Sequence, residues 1–525
     1  MPPRLRALTP YLAAIAAGIW IALGAPPVDL WLAVPTGLAA FAVLIERAWE
    51  RRLPTDRLLR RVLVGGATGF CFGTAVNVRA LSFVPSVITR FTPLPWVAGA
   101  LALLLVAMLQ STAFTLTAVV TVWLRRLRVP LPLAFGLGHL VGTHAPAVFP
   151  WTVAAGLVLR PWSVQTADIC GEPGTASLWA VIGGVLGSGL LALGRRRYRP
   201  GAVWVALAAA LGLAVFVHGT WRIHQVDTER EAARVARIGL VHPSYPALLR
   251  WNPNAREELS HSLHELTAEA ERHDVALTVW PESAHPYPMQ YASRHDQRPP
   301  FGVLGRGVRG PVLAGVLRRR DAQAETNSAV LVQPDGHFEE PYDKLFLLAF
   351  GEHVPFADEI PWLKQTFARG MGLVPGEHAV VQHVGALHAG ILICFEDTLP
   401  AAARNLVSDR DAQVNVVANL TNDGWFTGST EPLLHLRLAS LRAVETRLDL
   451  VRSVNGGYTA HVDAAGRVRA EEHRETPAVL VAEARLLEHG PTAFGRWGEI
   501  PAFGLLLAAS GLGAWFARRA HLAVP

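Results

Sequence analysis

Hydrophobic positions come in long unbroken runs over roughly the first 220 residues and in short ones thereafter. The long runs lie at 8–25, 29–46, 62–78, 96–124, 130–159, 178–194 and 202–218, parted by short arginine clusters. Several reach the ~20 residues a helix needs to cross a bilayer, while the shortest, such as 62–78, are marginal. A buried core helix would explain any single run. Seven in series without an amphipathic period read as membrane spans, and an eighth run at 501–517 closes the chain.

Between 232 and 488 the apolar stretches shrink to strand length, at 237–243, 275–282, 311–317, 327–333, 389–397 and 415–421. Helical patterns lie among them at 254–273 and 431–447, which predicts an α/β layered domain. QPDGHF at 333–338 and DAAGRV at 463–468 read as hairpin turns. The expected organisation is a membrane domain over 1–220 with about seven spans, an α/β domain over 232–488, and a final spanning helix at 501–517.

Composition supports the division. The 525 residues are 51% hydrophobic and only 17% charged, against about 25% charged in ordinary soluble domains. That excludes a disordered chain and argues against a wholly soluble enzyme. The net charge of +6 would suit a nucleic-acid surface, but the arginines are placed otherwise. Arg4 and Arg6 precede the first run, and Arg47, Arg51, Arg52, Arg57, Arg60 and Arg61 follow the second. Arg125, Arg126 and Arg128 follow the fourth; Arg195, Arg196, Arg197 and Arg199 follow the sixth; Arg518 and Arg519 follow the eighth. The alternate loops hold only Arg79, Arg90 and Arg160. Positive charge gathers on the cytoplasmic side, so both termini are expected there and residues 220–500 outside. No small-x-small cleavage site follows the first run, which favours an uncleaved span over a signal peptide.

Three cysteines, Cys71, Cys170 and Cys394, offer neither a disulfide framework nor metal-ligand spacing, and no cofactor is expected. Glu282 ends an apolar strand in VWPES, where partial desolvation suits a carboxylate to general-base work; a capping or surface Glu is the plain alternative. Lys344, in PYDKLFLLAFGEHVPF, is one of only two lysines against 46 arginines. A lone loop lysine is commonly just solvated, yet its compact ammonium suits a developing oxyanion better than guanidinium would. Cys394, in GILICFEDT, ends a strand that runs toward a helix start at Asp397–Thr398, whose amides would favour a thiolate. Free cysteines are often merely buried small hydrophobes. Glu396 either shares the face of Cys394 or is a surface acid. Together the three strand ends supply base, cation and nucleophile, one each.

In that order the residues resemble the triad of the nitrilase, or carbon–nitrogen hydrolase, superfamily. The plan of the chain is similar to its membrane-bound branch, the apolipoprotein N-acyltransferases. Glu352 in FGEHVPF, LLRWNP at 248–253, LTNDGWF at 420–426, HLRLASLRAVETR at 435–447 and VRSVNGGYTAHVDAAGRV at 451–468 match that family's blocks in order. Phe395 stands where the family commonly has tyrosine.

The resemblance implies an αββα sandwich on a polytopic helical domain, in the bacterial inner membrane with the sandwich periplasmic. It implies a monomer without cofactor, metal or nucleic-acid partner. Glu282 would deprotonate Cys394, the thiolate would take an acyl group from a membrane phospholipid, and Lys344 would hold the oxyanion. The acceptor would be the α-amine of a diacylglyceryl apolipoprotein. Glu352, Glu396, Phe395 and Trp251 are the supporting residues it implies, and 349–372 an arm dipping into the interface. Two rivals stand: a membrane-tethered nitrilase-type amidase using water as acceptor, and a catalytically inactive membrane scaffold.

Overall fold

The computed structural model describes residues 3–522 apart from 51–57, 150, 298, 300, 306, 322–323, 350, 354–358, 361, 363–371 and 409–412, with side chains between residues 8 and 519. The chain divides into two compact units, Met1–Ile223 with Trp497–Pro525, and His224–Arg496.

The first unit is helical. Among the described residues, four helices are long and apolar enough to cross a membrane: Trp96–Arg126, Ala167–Gly194, Tyr198–Ala232 and Ile500–Arg519. Helices Leu58–Ala80 and Val84–Phe91, bent by 53°, add a fifth if they count as one span. Glycines let helices close where lipid offers no hydrophobic drive. A Cβ on Gly69 would stand 2.4 Å from the carbonyl oxygen of Phe114, so only glycine lets these two backbones meet. Phe41 and Phe72, both buried, stack beside them with ring centroids 4.1 Å apart.

The fifth apolar run behaves differently from its neighbours. Its helix, Leu131–Gly142, stops well short of 159, and only the four-residue helix Ala154–Leu157 follows. Pro146 and Pro150 disfavour helix in the residues before them and remove two donors. Two N–H groups of the unwound stretch turn instead to buried Gln110, its side-chain carbonyl accepting from the amides of Val148 (3.1 Å) and Phe149 (2.8 Å). Unwound backbone inside apolar surroundings needs such a substitute. The sixth run lies in a helical segment that opens at Ala167, earlier than its hydropathy suggests, and is broken at Gly171 (φ 70°, ψ 174°) two residues before Pro173.

The second unit is built on strands β1 (Arg234–His242), β2 (Leu277–Val279), β3 (Met289–Gln290), β4 (Val312–Arg319), β5 (Glu325–Val332) and β6 (Tyr342–Asp343). They are followed by β7 (Val381–Val384), β8 (Leu387–Ile393), β9 (Val416–Asn422), β10 (Asp449–Asn455), β11 (Thr459–Val462), β12 (Val468–Glu472) and β13 (Ala478–Leu486). One sheet runs β13-β1-β2-β4-β5-β6 with β3 beside β4; the other runs β12-β11-β10-β9-β8-β7. Each is parallel at its centre, β1–β2–β4 and β8–β9–β10, and antiparallel toward its edges.

Strand periodicity explains how the sheets stack. Ile238, Leu240, Val279 and Leu331 of the first sheet meet Ile391, Ile393, Leu420 and Val451 of the second in one buried core. The alternate residues Val241, Val330 and Val332 face outward and pack with Leu263 and Leu266 of helix Arg256–Glu271. Helices Pro400–Ser408 and Glu431–Thr446 pack on the second sheet, at β8 and β10. The unit is thus an αββα sandwich. Both expected hairpins form: Val332 bridges Phe338, and the turn at 463–467 joins β11 to β12.

Candidate active site

Glu282 stands where the chain leaves the first sheet. The amide of Trp280 still pairs with the carbonyl of Leu313 (2.9 Å), but Pro281 has no donor to continue the ladder, and Ser283 turns the chain at φ 49°. Gly315 of β4 makes room for this exit, since a Cβ there would lie 2.0 Å from the Pro281 carbonyl oxygen. The Glu282 carboxylate is buried and fully engaged. Asn327 Nδ2 donates to Oε1 at 2.7 Å, Lys344 Nζ to the same oxygen at 3.3 Å, and the amide of Asn422 to Oε2 at 3.0 Å.

Lys344 follows β6, its amide tied to the Asn327 carbonyl (2.9 Å) and its own carbonyl to the Gly376 amide (2.9 Å). The ammonium is buried and lies 2.7 Å from Glu352 Oε2. Burial works against its charge, but Glu352 and Glu282 outweigh it and hold the amine well above the ordinary lysine value. Glu352 is oriented by the amide of Leu348 (2.9 Å) and by Asn327 Nδ2 (2.9 Å). An ammonium has three donors to spend on these carboxylates. Both oxygens of Glu352 lie within reach, Oε1 at 2.8 Å and Oε2 at 2.7 Å, so the ammonium is held chiefly by Glu352 and more loosely by Glu282 at 3.3 Å.

Cys394 ends β8. The residue itself begins a 3₁₀ turn, Cys394–Thr398, so the helix start expected at Asp397–Thr398 lies earlier than sequence suggested. Its φ of 55° is left-handed, a conformation that costs a non-glycine residue about 1–2 kcal/mol. Surrounding hydrogen bonds hold it there. Asn419 Nδ2 donates to the Cys394 carbonyl (3.0 Å), and Arg442 Nη1 to that of Thr398 (2.7 Å). Burial first, and then the charge of Glu282, pushes the thiol well above its ordinary value, with Lys344 pulling the other way. The same charges place Cys394 within electrostatic reach of both Glu282 and Lys344.

Glu396 is neither a surface acid nor a partner on the thiol face. It is fully buried and accepts from the amides of Leu345 (2.8 Å), Phe346 (3.0 Å) and Ile393 (2.8 Å) and from the Tyr342 hydroxyl (2.8 Å). It staples the Lys344 loop to the Cys394 turn. Burial lifts its carboxyl to about 7 against the pull of Lys344 and of these donors. The Phe395 ring centroid lies 5.3 Å from Lys344 Nζ. Trp251 is about half exposed, with the Arg250 guanidinium 4.9 Å over its ring, and is not hydrogen-bonded to the triad. The arm expected at 349–372, with Phe350, Phe356 and Phe367, falls mostly outside the described residues; Trp362 is exposed. Cys71 and Cys170 lie in the helical unit.

Asn327 and Tyr342 were missed by sequence reasoning. Asn327 was visible as an amide opening the apolar stretch NSAVLVQ, the kind of position where a side chain serves a neighbour rather than a core. Asp423, Glu431 and His435 gather their ligand atoms within 4.8 Å, the one grouping of metal-binding type among the described residues.

Two family models match the chain: the apolipoprotein N-acyltransferase N-terminal domain over residues 17–186, and carbon–nitrogen hydrolase over 237–493. An apolipoprotein N-acyltransferase from Geobacter metallireducens is 29% identical over 97% of this chain and 95% of its own. One from Azotobacter vinelandii is 30% identical over 98% and 96%. Among solved structures, an amidase from Nesterenkonia sp. aligns with 51% of this chain and 95% of its own, at 17% identity and a TM-score of 0.35. With the αββα unit and the apolar helices in place, and with similarity running nearly end to end, the chain belongs to the apolipoprotein N-acyltransferase family.

Proposed function

We propose that this membrane protein transfers a fatty acyl group from a phospholipid, through a thioester on Cys394, to the α-amine of the lipidated N-terminal cysteine of apolipoproteins. The observation that carries the reading is the buried cluster of one ammonium and two carboxylates beside a strained cysteine. A raised thiol cannot attack unaided, so a base must take its proton as the bond forms. Glu282 would do so, and the thiolate would add to the ester carbonyl. The resulting oxyanion would be stabilised by the Lys344 ammonium and the amide of Phe395, and collapse would expel a lysophospholipid alkoxide that recovers the proton from Glu282. The acceptor amine would then attack the thioester, pass its proton to Glu282, form the amide and release the Cys394 thiolate, which is reprotonated. Two substrates entering in turn give ping-pong kinetics.

Supporting residues would act through position: Glu352 and Glu396 on Lys344 and its loop, Phe395 beside the ammonium, and exposed Trp251 toward lipid. The arginine pattern supports an inner-membrane protein with both termini cytoplasmic and residues 220–500 periplasmic. We take the protein to act as a monomer. Incubation with labelled phospholipid tests the chemistry. Mass spectrometry is expected to find an acyl thioester on Cys394, released by a diacylated lipopeptide and absent in Cys394→Ala. An adduct released as fast by water would point to the amidase reading, and no adduct would overturn the proposal.

A further inference from the structure

Behind the triad lies a second buried cluster that the chemistry above does not use. His435, on helix Glu431–Thr446, reaches Asp423 Oδ1 through Nδ1 (2.9 Å) and Asp397 Oδ1 through Nε2 (2.8 Å). Arg452 Nε holds the other oxygen of Asp397 at 2.8 Å. All four side chains are buried. Ionised carboxylates only accept, so an imidazole between two of them must donate from both nitrogens and is therefore a cation. Asp397 lies below the usual carboxylate range despite its burial, because Arg452 and His435 face it, and His435 lies well above the usual histidine value.

The two aspartates that His435 joins are not equivalent in place. Asp397 belongs to the turn that begins at Cys394; Asp423 directly follows Asn422, whose amide donates to Glu282. The histidine thus spans from the nucleophile's turn to the base's turn. One acid is left over. Asp423 Oδ2 and Glu431 Oε2 are buried without a hydrogen-bond donor, and the two carboxyls are close enough to share a ligand. Both histidine nitrogens are engaged on aspartates, which leaves only the two carboxylates of that grouping to be satisfied. Asp397 and Asp423 already balance His435 and Arg452. A proton on Glu431 satisfies both orphaned oxygens without adding charge.

We propose that His435 is a positioning residue for the acyl transfer: its imidazolium clasps the Cys394 turn to the Asn422–Asp423 turn, and a proton kept on Glu431 completes the clasp. The inference rests on the triad reading given above. The groups facing Glu431 are Asp423 on its turn, His435 on the same helix, Arg452 on β10 and Asp397 beside Cys394. Burial and the charge of Asp423 raise Glu431 to about 8. Above that pH the wild type carries a second negative charge next to Asp423, which itself disfavours the Cys394 thiolate.

The test follows the rate of acyl-adduct formation on Cys394 of the full-length protein, with labelled phospholipid, between pH 6 and 9. His435→Gln keeps volume but loses the charge and one arm. Its maximal rate is expected to fall roughly 10–100-fold, as for a small misplacement of reacting groups, with the half-saturating phospholipid concentration unchanged. Glu431→Gln cannot ionise, so its rate relative to wild type is expected to climb as pH passes from 7 to 9. This second variant carries the test if His435→Gln does not fold. Wild-type rates in His435→Gln, a Glu431→Gln ratio constant with pH, or stoichiometric metal in the purified protein would each overturn the clasp. Failure of the wild type itself to form the adduct would instead remove the triad reading.

Discussion

Two ionic clusters of the sandwich unit are held together differently. At the front, Glu282 and Glu352 share the Lys344 ammonium, which meets three of their oxygens. At the rear, Asp397 and Asp423 face two cations, His435 and Arg452, yet Asp423 Oδ2, Glu431 Oε2 and Arg452 Nη2 are buried without a hydrogen-bond partner. An orphaned buried polar atom is costly, so the rear needs the proton proposed on Glu431 to complete it. The front is closed by protein partners and lies within electrostatic reach of Cys394. Burial differs as well: Asp397, Asp423, His435 and Arg452 are at most 3% exposed, whereas Glu352 at the front keeps 13%.

The largest expected effect comes from the front cluster's cation. Lys344→Arg keeps the charge but replaces a point ammonium with a planar fork that does not fit between Glu282 and Glu352. Turnover of a lipopeptide acceptor is expected to fall by about 10²–10³-fold, the scale of a lost oxyanion donor. Near-normal turnover in that variant would mean that any cation serves, and that the front cluster is only another scaffold.

Asn327 comes next. It is neutral, yet it bridges the two front carboxylates through a single amide nitrogen. Asn327→Leu removes the donor from both and leaves Lys344 as their only shared partner. Losing hydrogen bonds to buried charges costs about 1–3 kcal/mol, so maximal turnover is expected to fall about ten- to hundredfold, at 1.4 kcal/mol per factor of ten. Acceptor KM should change little, because Asn327 touches the front carboxylates and, on the proposed mechanism, not the substrate. A change confined to KM would place Asn327 in binding instead.

Much of this was legible in the amino-acid order, and the physical reasons differ by region. Strands β1, β4, β5, β8 and β9 announce themselves because a strand buried on both faces needs unbroken apolar residues. β10 does not, since Arg452, Ser453 and Asn455 lie buried within it and bond to partners far away in sequence. Glu282, Lys344 and Cys394 were findable because each interrupts or ends an apolar stretch. Their mutual distances were not, because they depend on how two sheets stack. In the helical unit hydropathy marks the runs but not their ends. The run at 130–159 breaks at its prolines, and Tyr198–Ala232 continues past its apolar part because the polar residues that follow also favour helix.

The smallest effect tests the join between the Lys344 loop and the Cys394 turn, where Tyr342 donates to Glu396. Glu396 rises from 4.5 to about 7 on folding. Below pH 4.5 both folded and unfolded chains hold its proton, and this group adds no pH dependence. Between 4.5 and about 7 only the unfolded state releases the proton, so stability falls with rising pH; above that range the penalty is constant. Tyr342→Phe removes a donor that favours the ionised carboxylate. Hydrogen bonds to charged acceptors are worth about 1 kcal/mol more than neutral ones. The loss in Tm relative to wild type should therefore be larger at pH 8 than at pH 5, as read by thermal unfolding of the purified full-length protein. An equal loss at both values would mean that Glu396 carries the same charge across the range, and that this staple, like the rear cluster at neutral pH, does not titrate.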